Sequence, residues 1–320
     1  MRQTGRVAAN RGYDVIGDVH GHADELVELL AHMGYDESGG VWAHPTRQAV
    51  FVGDLIDRGP KQIDTVTIVR GMVEAGTAQM VIGNHEFNAL AYATPDGDGG
   101  YLRPHSEKNA AQHGAFLDAV GFGSSLHREI LDWFMTIPMW LDLGGLRVVH
   151  ACWSIEHIEH LADVAGPADN LTDDLLVAAN TRDHQSFDAV EVVLKGPEVD
   201  LRGHHFVLDG RPRDHARIRW WKPDATTLAS AALIPDGVRL FAGDAVAGTL
   251  PDAPLTDDER VTYDAEVPVV YGHYWWDARR GMESDLAACV DYSVAEDGEL
   301  VAYRWDGEAR LSADKIARAG

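Results

Sequence analysis

The chain has 320 residues, of which 45% are hydrophobic, and a formal net charge of −24 at pH 7. This length suffices for one large domain or two small ones with a substantial core, and no apolar run approaches the roughly 18 residues of a membrane-spanning helix. The negative charge disfavours long nucleic acids as partners, because binding them requires clustered basic side chains against the phosphates.

The N-terminal segment and the cysteines indicate in which cellular compartment the protein is located. The segment lacks the apolar stretch of a secretion signal, and we expect it to be a polar tail. Cys152 and Cys289 lie far apart and outside any CxxC pattern. We therefore expect neither a disulfide framework nor a structural zinc site, and we predict a cytoplasmic location and no membrane association.

The first 92 residues alternate between apolar runs and amphipathic stretches. The predicted elements are, in order, a strand over 13–17, a helix over 22–33, a strand over 48–53, a helix through Ile63 to Val73, a strand ending at Gly83 and a short helix from near Glu86. This alternation predicts a parallel or mixed sheet covered by helices. Ligands of such sheets bind beyond the carboxyl ends of the strands.

The remainder is less regular. We predict helices over 107–120, 128–135, 169–180 and 186–194, a strand over 146–149, and a hairpin of 287–294 with 300–305 around a turn at 296–298. The prediction is one domain over 1–320, with core motifs in 13–92, 146–153 and 267–305 and elaborations in 95–126 and 154–266.

Five predicted strands each end in Asp, His or Asn. The stretches are Val15-Ile16-Gly17-Asp18-Val19-His20-Gly21, Val50-Phe51-Val52-Gly53-Asp54-Leu55-Ile56-Asp57-Arg58-Gly59, Val81-Ile82-Gly83-Asn84-His85-Glu86, Val148-Val149-His150 and Val269-Val270-Tyr271-Gly272-His273. Polar groups buried in this way are costly without partners. Together the strand ends predict a metal centre.

The donor types indicate the metal. Carboxylate, amide and imidazole suit borderline or harder divalent ions, with manganese as the first expectation and iron or zinc as alternatives. Two neighbouring ions need a shared anionic ligand, and Asp54 is the natural bridge because Gly53 gives room and it is central in the series. The predicted ligands are Asp18, His20 and Asp54 for one ion and Asp54, Asn84, His150 and His273 for the other.

Three further assignments describe the chemistry. Two cations would lower the pKa of a bridging water, so that hydroxide attacks phosphorus in line. Arg58, together with Asn84, would bind the phosphate oxygens, because guanidinium offers bidentate hydrogen bonds. His85 is the candidate general acid, and Asp57 would hold it in its protonated form.

The first three stretches resemble motifs of the calcineurin-like metallophosphoesterases, and within them the phosphoprotein phosphatase branch. That branch includes bacterial diadenosine tetraphosphatase-like hydrolases and the phosphatase module of bacterial polynucleotide kinase-phosphatases. The resemblance is specific over residues 13–92. It implies an α/β fold, a four-layer αββα sandwich with mixed sheets and a dinuclear metal centre at its edge. It also implies the same ligand division and the same roles for His85 and Asp57.

Three departures from the family pattern leave the substrate open. The residues after His150 are Ala151-Cys152-Trp153-Ser154, where protein phosphatases usually have glycines. The family's second phosphate-binding arginine could correspond to Lys195, Arg202, Arg217 or Arg219. After His273 no recognition loop typical of eukaryotic members is visible.

The predicted function is therefore a dinuclear-metal-dependent phosphoesterase, a phosphatase acting on a phosphoprotein or a small phosphorylated substrate. A dinucleoside polyphosphate hydrolase is the alternative, and a non-catalytic metal-binding scaffold is a weaker one. A nuclease would need a basic track that the net charge makes hard to build.

Some of these residues also have simpler structural explanations. Asp57 and Arg58 could pair with each other and stiffen their turn. Glu86 suits the first turn of a helix better than metal ligation. Trp220 and Trp221 are expected to pack in the interior rather than stack on bases.

Overall fold

The structure is a computed structural model that describes residues 12–208, 210–263, 265–276, 281–296 and 298–319. Residues 1–11 of the predicted N-terminal tail and Asp297 of the predicted turn lie outside these ranges. The strands are β1 (Gly12–Ile16), β2 (Asp36–Ser38), β3 (Val41–Ala43), β4 (Arg47–Phe51), β5 (Ala78–Met80), β6 (Trp140–Asp142), β7 (Arg147–Val149), β8 (Glu198–Asp200), β9 (His204–Leu208), β10 (Arg211–Arg213), β11 (His215–Ile218), β12 (Ala232–Leu233), β13 (Leu240–Ala242), β14 (Ala245–Ala247), β15 (Val269–Tyr271), β16 (Ala287–Cys289), β17 (Asp291–Tyr292), β18 (Glu299–Trp305) and β19 (Ile316–Arg318). The helices are α1 (Ala23–His32), α2 (Gln62–Glu74), α3 (Asn84–Ala93), α4 (Glu107–Val120), α5 (Ser125–Phe134), α6 (Ile155–Val164), α7 (Asp173–Ala179), α8 (Gln185–Lys195) and α9 (Leu228–Ala231).

One mixed sheet brings the first three motifs together. Strands β1, β4 and β5 run parallel, and β18 lies antiparallel to β1 on the other side. Ile16 pairs with Phe51, and Phe51 pairs with Met80. Because these strand ends are in register, the loops that follow them emerge side by side at one edge of the sheet.

A second mixed sheet, in the order β16-β15-β7-β6, carries the two later histidines. Strands β7 and β15 are parallel, and Val149 pairs with Tyr271. The N–H of Gly272 donates to the carbonyl of His150 at 2.8 Å. His150 and His273 therefore leave neighbouring strands at the same level.

Both sheets contribute to one hydrophobic core. Its fully buried residues include Val15 and Phe51 from the first sheet and Val148 and Val270 from the second. Helix α1 buries Leu26, Leu29 and Leu30, which share one helical face, as their spacing predicts. Together with α2 it packs beside the first sheet. The predicted α/β class with mixed sheets is confirmed.

The segment 154–266 has more structure than the sequence predicted. Besides α7 and α8, which were predicted, it contains α6, the short α9 and two small antiparallel sheets in the orders β12-β11-β8 and β10-β9-β13-β14. These strands enclose a second, smaller core around Val199, Phe206 and Ile218. The division of the chain into domains stays a prediction.

The predicted C-terminal hairpin is partly wrong. Strand β16 pairs in parallel with β15 in the second sheet, and only β17 pairs antiparallel with β18. The chain crosses from one sheet to the other at Val290, whose N–H donates to Tyr271 at 2.8 Å. This crossing could not be predicted, because the sequence leading up to it is one continuous apolar run. Among the described residues, none of the helices is both long and apolar enough to cross a lipid bilayer.

Candidate metal centre

Two glycines allow the loops after β4 and β5 to touch. Gly53 has φ +101°, and a Cβ atom there would lie 2.4 Å from the backbone nitrogen of Gly83. A Cβ atom on Gly83 would lie 2.3 Å from both the backbone nitrogen and Oδ1 of Asp54. Any side chain at these positions would force the loops apart. The glycines therefore bring Asp54 next to Asn84.

Glu86 holds these two loops together through hydrogen bonds to their backbone. Its side chain is fully buried, and its carboxylate accepts the N–H groups of Asp54 (2.8 Å), Leu55 (2.8 Å) and Gly83 (2.9 Å). Burial and the neighbouring Asp54 raise the pKa of Glu86 to about 6. Glu86 lies in the first turn of α3, as its sequence position predicted. Through these hydrogen bonds it also anchors the loop that carries Asp54.

Several predicted site residues have a left-handed backbone. The φ angles are +47° at His20, +53° at Asp54, +70° at Asp57, +69° at Arg58 and +71° at His273. Such conformations cost energy in residues other than glycine and persist where the surroundings impose them, often at functional sites.

A first group of donor atoms comes from His20, Asp54 and His85, within 4.8 Å of one another. The Nδ1–H of His20 donates to the carbonyl of Ile56 at 2.9 Å. Its Nε2 therefore faces the site and lies 3.6 Å from Oδ2 of Asp54. Burial and then His85 lower the pKa of His20 to about 3, so the imidazole is neutral near pH 7, the form that binds cations.

A second group comes from Asp54, His150 and His273, within the same distance of one another. The Nδ1–H of His150 donates to the carbonyl of Val52 at 2.7 Å. Its Nε2 lies 3.0 Å from Oδ1 of Asn84 and 3.5 Å from Oδ1 of Asp54. Asp54 thus belongs to both groups, as a bridging ligand must.

His273 has a buried ring nitrogen without a partner. Its Nε2 makes no hydrogen bond among the described residues. Burial and then Arg217 lower the pKa of His273 well below its usual range. A buried polar atom of this kind needs an explanation, and a cation beside the neutral imidazole supplies one.

Asp18 is next to this centre but belongs to neither group. Its carboxylate accepts the backbone N–H of His273 at 3.1 Å. A second buried carboxylate, Asp291, accepts the N–H groups of Trp275 (2.8 Å) and Ser293 (3.0 Å). Burial, Asp291 and Asp54 together raise the pKa of Asp18 well above its usual range. Buried like charges at this density call for positive charge, which divalent cations would provide.

The candidate general acid, His85, shares the carboxylate of Asp57 with a second histidine, His113. Nδ1 of His85 lies 2.5 Å from Oδ2 of Asp57, and Nδ1 of His113 lies 2.8 Å from Oδ1. Although burial alone would lower it, Asp54 and Asp57 raise the pKa of His85. No role for His113 could be predicted from the sequence, because it lies within α4 and does not follow a strand. An aromatic face with Phe116 on one helix was its only signal.

Arg58 is not paired with Asp57. Its guanidinium lies over the ring of Trp275, 4.3 Å from the centroid, and among the described residues it forms no ion pair with a carboxylate. Trp275 is 44% exposed. The pairing of Asp57 with Arg58 considered above does not occur in the structure, and the guanidinium remains available to an anion.

A cavity of about 580 Å³ opens beside the centre. Its lining includes Asp54, Arg58, Asn84, His85 and His273. This volume falls within the roughly 300–1,000 Å³ of small-molecule sites.

Two of the four basic candidates line this cavity, Lys195 and Arg217. Arg217 donates to the carbonyl of His273 at 3.1 Å. Arg202 instead pairs with Glu259, and Arg219 with Glu283.

Trp220 and Trp221 are at most 2% exposed. They pack against the ring of Tyr271, with centroids at 4.8 Å and 5.4 Å. The expectation that they pack in the interior is confirmed.

At the strand ends of this mixed α/β fold, carboxylate, amide and imidazole donors lie around one aspartate. This combination of fold and donor atoms is typical of metal-dependent hydrolases. The chain belongs to the calcineurin-like phosphoesterase family, whose model matches residues 13–208. The family recognised in the sequence is therefore confirmed, and membership implies divalent metal ions at this centre.

Similar proteins include two tetraphosphatases. The asymmetrical bis(5'-nucleosyl)-tetraphosphatase PrpE of Halalkalibacterium halodurans is 49% identical over 74 residues, 23% of this chain and 30% of the relative. The chain thus matches less than a third of that protein's length. The symmetrical bis(5'-nucleosyl)-tetraphosphatase of Vibrio cholerae is 27% identical over 312 residues, 93% of this chain and 96% of the relative. A protein serine/threonine phosphatase of Saccharomyces cerevisiae matches 98% of this chain and 80% of its own, with TM-score 0.45 and 15% identity.

Proposed function

We propose that the protein is a phosphoesterase whose centre holds two divalent cations that share Asp54. The observation that carries this proposal is the position of Asp54, whose carboxylate belongs to both groups of donor atoms. His20 and Asp18 would complete one site, and Asn84, His150 and His273 the other. Cations bound there would activate a water molecule and offset the charge of the phosphate.

Other residues of the chain would orient the metal ligands and bind the phosphate. The carbonyl groups of Ile56 and Val52 orient His20 and His150, so that their Nε2 atoms face the site. Arg58, exposed beside Trp275, would bind the phosphate oxygens together with Asn84.

His85, held by Asp57, would give its proton to the departing oxygen. Its Nε2 lies 3.9 Å from Oδ2 of Asp54, at the edge of the centre.

We propose manganese as the metal, since the donors are oxygen and nitrogen without thiolate, with iron and zinc as alternatives. The test is hydrolysis of p-nitrophenyl phosphate by chelator-treated protein after addition of each metal. Wild type should regain activity, and Asp54→Ala should lose it. Asp36→Ala, at an exposed position of β2, is the matched control and should behave as wild type. Equal rates for Asp54→Ala and wild type would contradict the proposal.

The second candidate is hydrolysis of dinucleoside polyphosphates. It is favoured by the two tetraphosphatases similar to this chain. A panel of phosphopeptides, nucleotides and diadenosine polyphosphates distinguishes it from a phosphatase acting on a phosphoprotein or another small phosphorylated molecule. A cytoplasmic location stays an expectation from the cysteine content; both thiols are free and buried.

A further inference from the structure

The cavity beside the centre is lined by several cations that form no ion pair. The chain has 27 Lys and Arg against 51 Asp and Glu, so most basic side chains have acidic neighbours available. Six basic residues nevertheless line the cavity, Arg58, Arg103, Lys108, Lys195, Arg213 and Arg217, together with five acidic ones, Asp54, Asp57, Asp188, Glu191 and Glu198. Among the described residues, only Lys195 of these six forms an ion pair with a carboxylate, that of Glu191.

Arg103 lies at the cavity without a carboxylate in ion-pair contact. Its guanidinium donates to Oδ1 of Asn88 at 2.9 Å and to Oε1 of Gln112 at 3.1 Å, both neutral amides. The side chain is partly buried, and this burial lowers the pKa of Arg103. Asp57 and Glu191 attract the guanidinium only from beyond ion-pair distance, so the charge of this desolvated cation is incompletely compensated, which is costly. The amides fix its orientation without neutralising it, and all three residues line the cavity.

Two other cations come from different parts of the chain. Lys108 lies one helical turn before Gln112 on α4, so both can face the cavity from the same side of that helix. Arg213 is the last residue of β10, in the inserted segment, and it is exposed. Arg103 and Lys108 belong to the segment 95–126, and Arg213 belongs to the segment 154–266. Both segments lie outside the strand-end motifs, and both contribute cations to the same cavity.

We propose that Arg103, Lys108 and Arg213 form a second anion subsite, which binds the additional phosphates of a condensed phosphate chain. This inference rests on the proposed function, in which Arg58 and the metal centre hold the phosphate that is cleaved. A phosphate chain reaches both subsites, whereas a monoester fills only the inner one. The three cations are then specificity-determining residues, and the substrate class is a phosphoanhydride.

The bond changes remain those of the proposed hydrolysis. One water is consumed: its oxygen bonds to phosphorus, the bridging P–O bond breaks, and a proton of the water passes to the solvent. The departing phosphate oxygen takes its proton from His85. The outer cations also stabilise the negative charge that collects on the departing phosphates.

The first test compares tripolyphosphate with p-nitrophenyl phosphate in the metal-loaded enzyme. We expect Arg103→Met and Arg213→Met each to lower the ratio of kcat/KM for tripolyphosphate over p-nitrophenyl phosphate at least tenfold. Arg103→Lys should restore part of the ratio, because it keeps the charge. Arg182→Met removes an exposed cation that does not line the cavity and should leave the ratio unchanged. An unchanged ratio in the Arg213→Met variant, whose exposed position tolerates substitution, would overturn the proposal.

The second test separates the subsite from catalysis. Chelator-treated wild type should bind tripolyphosphate at least tenfold more tightly than orthophosphate in a calorimetric titration, and Arg103→Met and Arg213→Met should remove the difference. This result supports the subsite even if no hydrolysis is found, an outcome that would contradict the proposed function alone. Equal binding of both anions by wild type, or a preference for a phosphopeptide over tripolyphosphate, would contradict the subsite. Diadenosine tetraphosphate, assayed beside tripolyphosphate, shows whether the phosphate chain is nucleoside-linked or inorganic.

Discussion

Nδ1 of His113 lies 2.8 Å from Oδ1 of Asp57, the carboxylate whose other oxygen receives His85. His113 is 5% exposed and comes from α4, outside the strand-end motifs. It therefore restrains Asp57 through the carboxylate oxygen that does not contact the candidate general acid, and it does so from a helix outside the strand-end motifs.

His113→Phe should weaken the hold of Asp57 on His85 while keeping the buried volume filled. We expect kcat to fall about tenfold for aryl phosphates with poor leaving groups and less for good ones, because proton donation matters most when the leaving oxygen is basic. His113→Gln, which can still donate to Asp57, should recover part of the loss. A uniform loss over the whole leaving-group series would indicate a purely structural role.

His85→Asn should remove the proton donor and leave the proposed ligands Asp18, His20 and Asp54 in place. Metal content by mass spectrometry should match wild type, while kcat for alkyl phosphates falls about 10²–10⁴-fold and kcat for p-nitrophenyl phosphate falls much less. Comparable losses for both kinds of substrate would remove His85 from the proton-transfer step.

Glu86→Ala should loosen the turn that presents Asp54. Three buried backbone N–H groups lose their acceptor, and each costs about 1–3 kcal/mol when left unsatisfied. We expect the free energy of unfolding in urea to fall by at least about 2 kcal/mol, with weaker metal binding. The conclusion fails if Glu86→Ala unfolds at the wild-type midpoint with an unchanged slope.

The first sheet contains a buried charge cluster that serves stability rather than catalysis. Asp14 is fully buried and accepts from Arg47 (2.8 Å), Arg304 (3.0 Å) and the hydroxyl of Tyr35 (3.0 Å). Asp14→Ala should lower the free energy of unfolding by about 3–5 kcal/mol, because Arg304 and the hydroxyl of Tyr35 lose their buried acceptor and Arg47 keeps Asp306 as its only carboxylate partner.

Asp306→Ala is the matched control for Asp14→Ala, since Asp306 pairs with the same Arg47 from an exposed position. Its effect should stay below about 1 kcal/mol. Urea denaturation of both variants at neutral pH checks the comparison. Equal losses would show that burial of Asp14 adds nothing.

Much of the centre could be predicted because two local signals coincide there. An apolar strand followed at once by Asp, Asn or His marks a strand end, and parallel pairing in register places Asp18, Asp54 and Asn84 at one edge. Helices α1 and α2 followed from the spacing of their apolar residues.

The rest depends on contacts that local sequence does not encode. His113 and Arg103 reach the site only because α4 and the preceding loop fold back over the strand ends. The strands within residues 154–266 are short, and β10 is exposed throughout, so they lack the alternation that predicts strands. The crossing of the chain at Val290 is set by the packing of two sheets against each other.

The number of metal ions bound per chain tests whether Asp54 joins two metal sites. Chelator-treated protein is titrated with manganese, dialysed and measured by mass spectrometry against protein concentration. We expect two ions for wild type, one for His20→Ala or His273→Ala, which each remove a ligand from one side, and none for Asp54→Ala. Fewer than two ions in wild type, or two ions retained without Asp54, would contradict a centre built on that shared carboxylate.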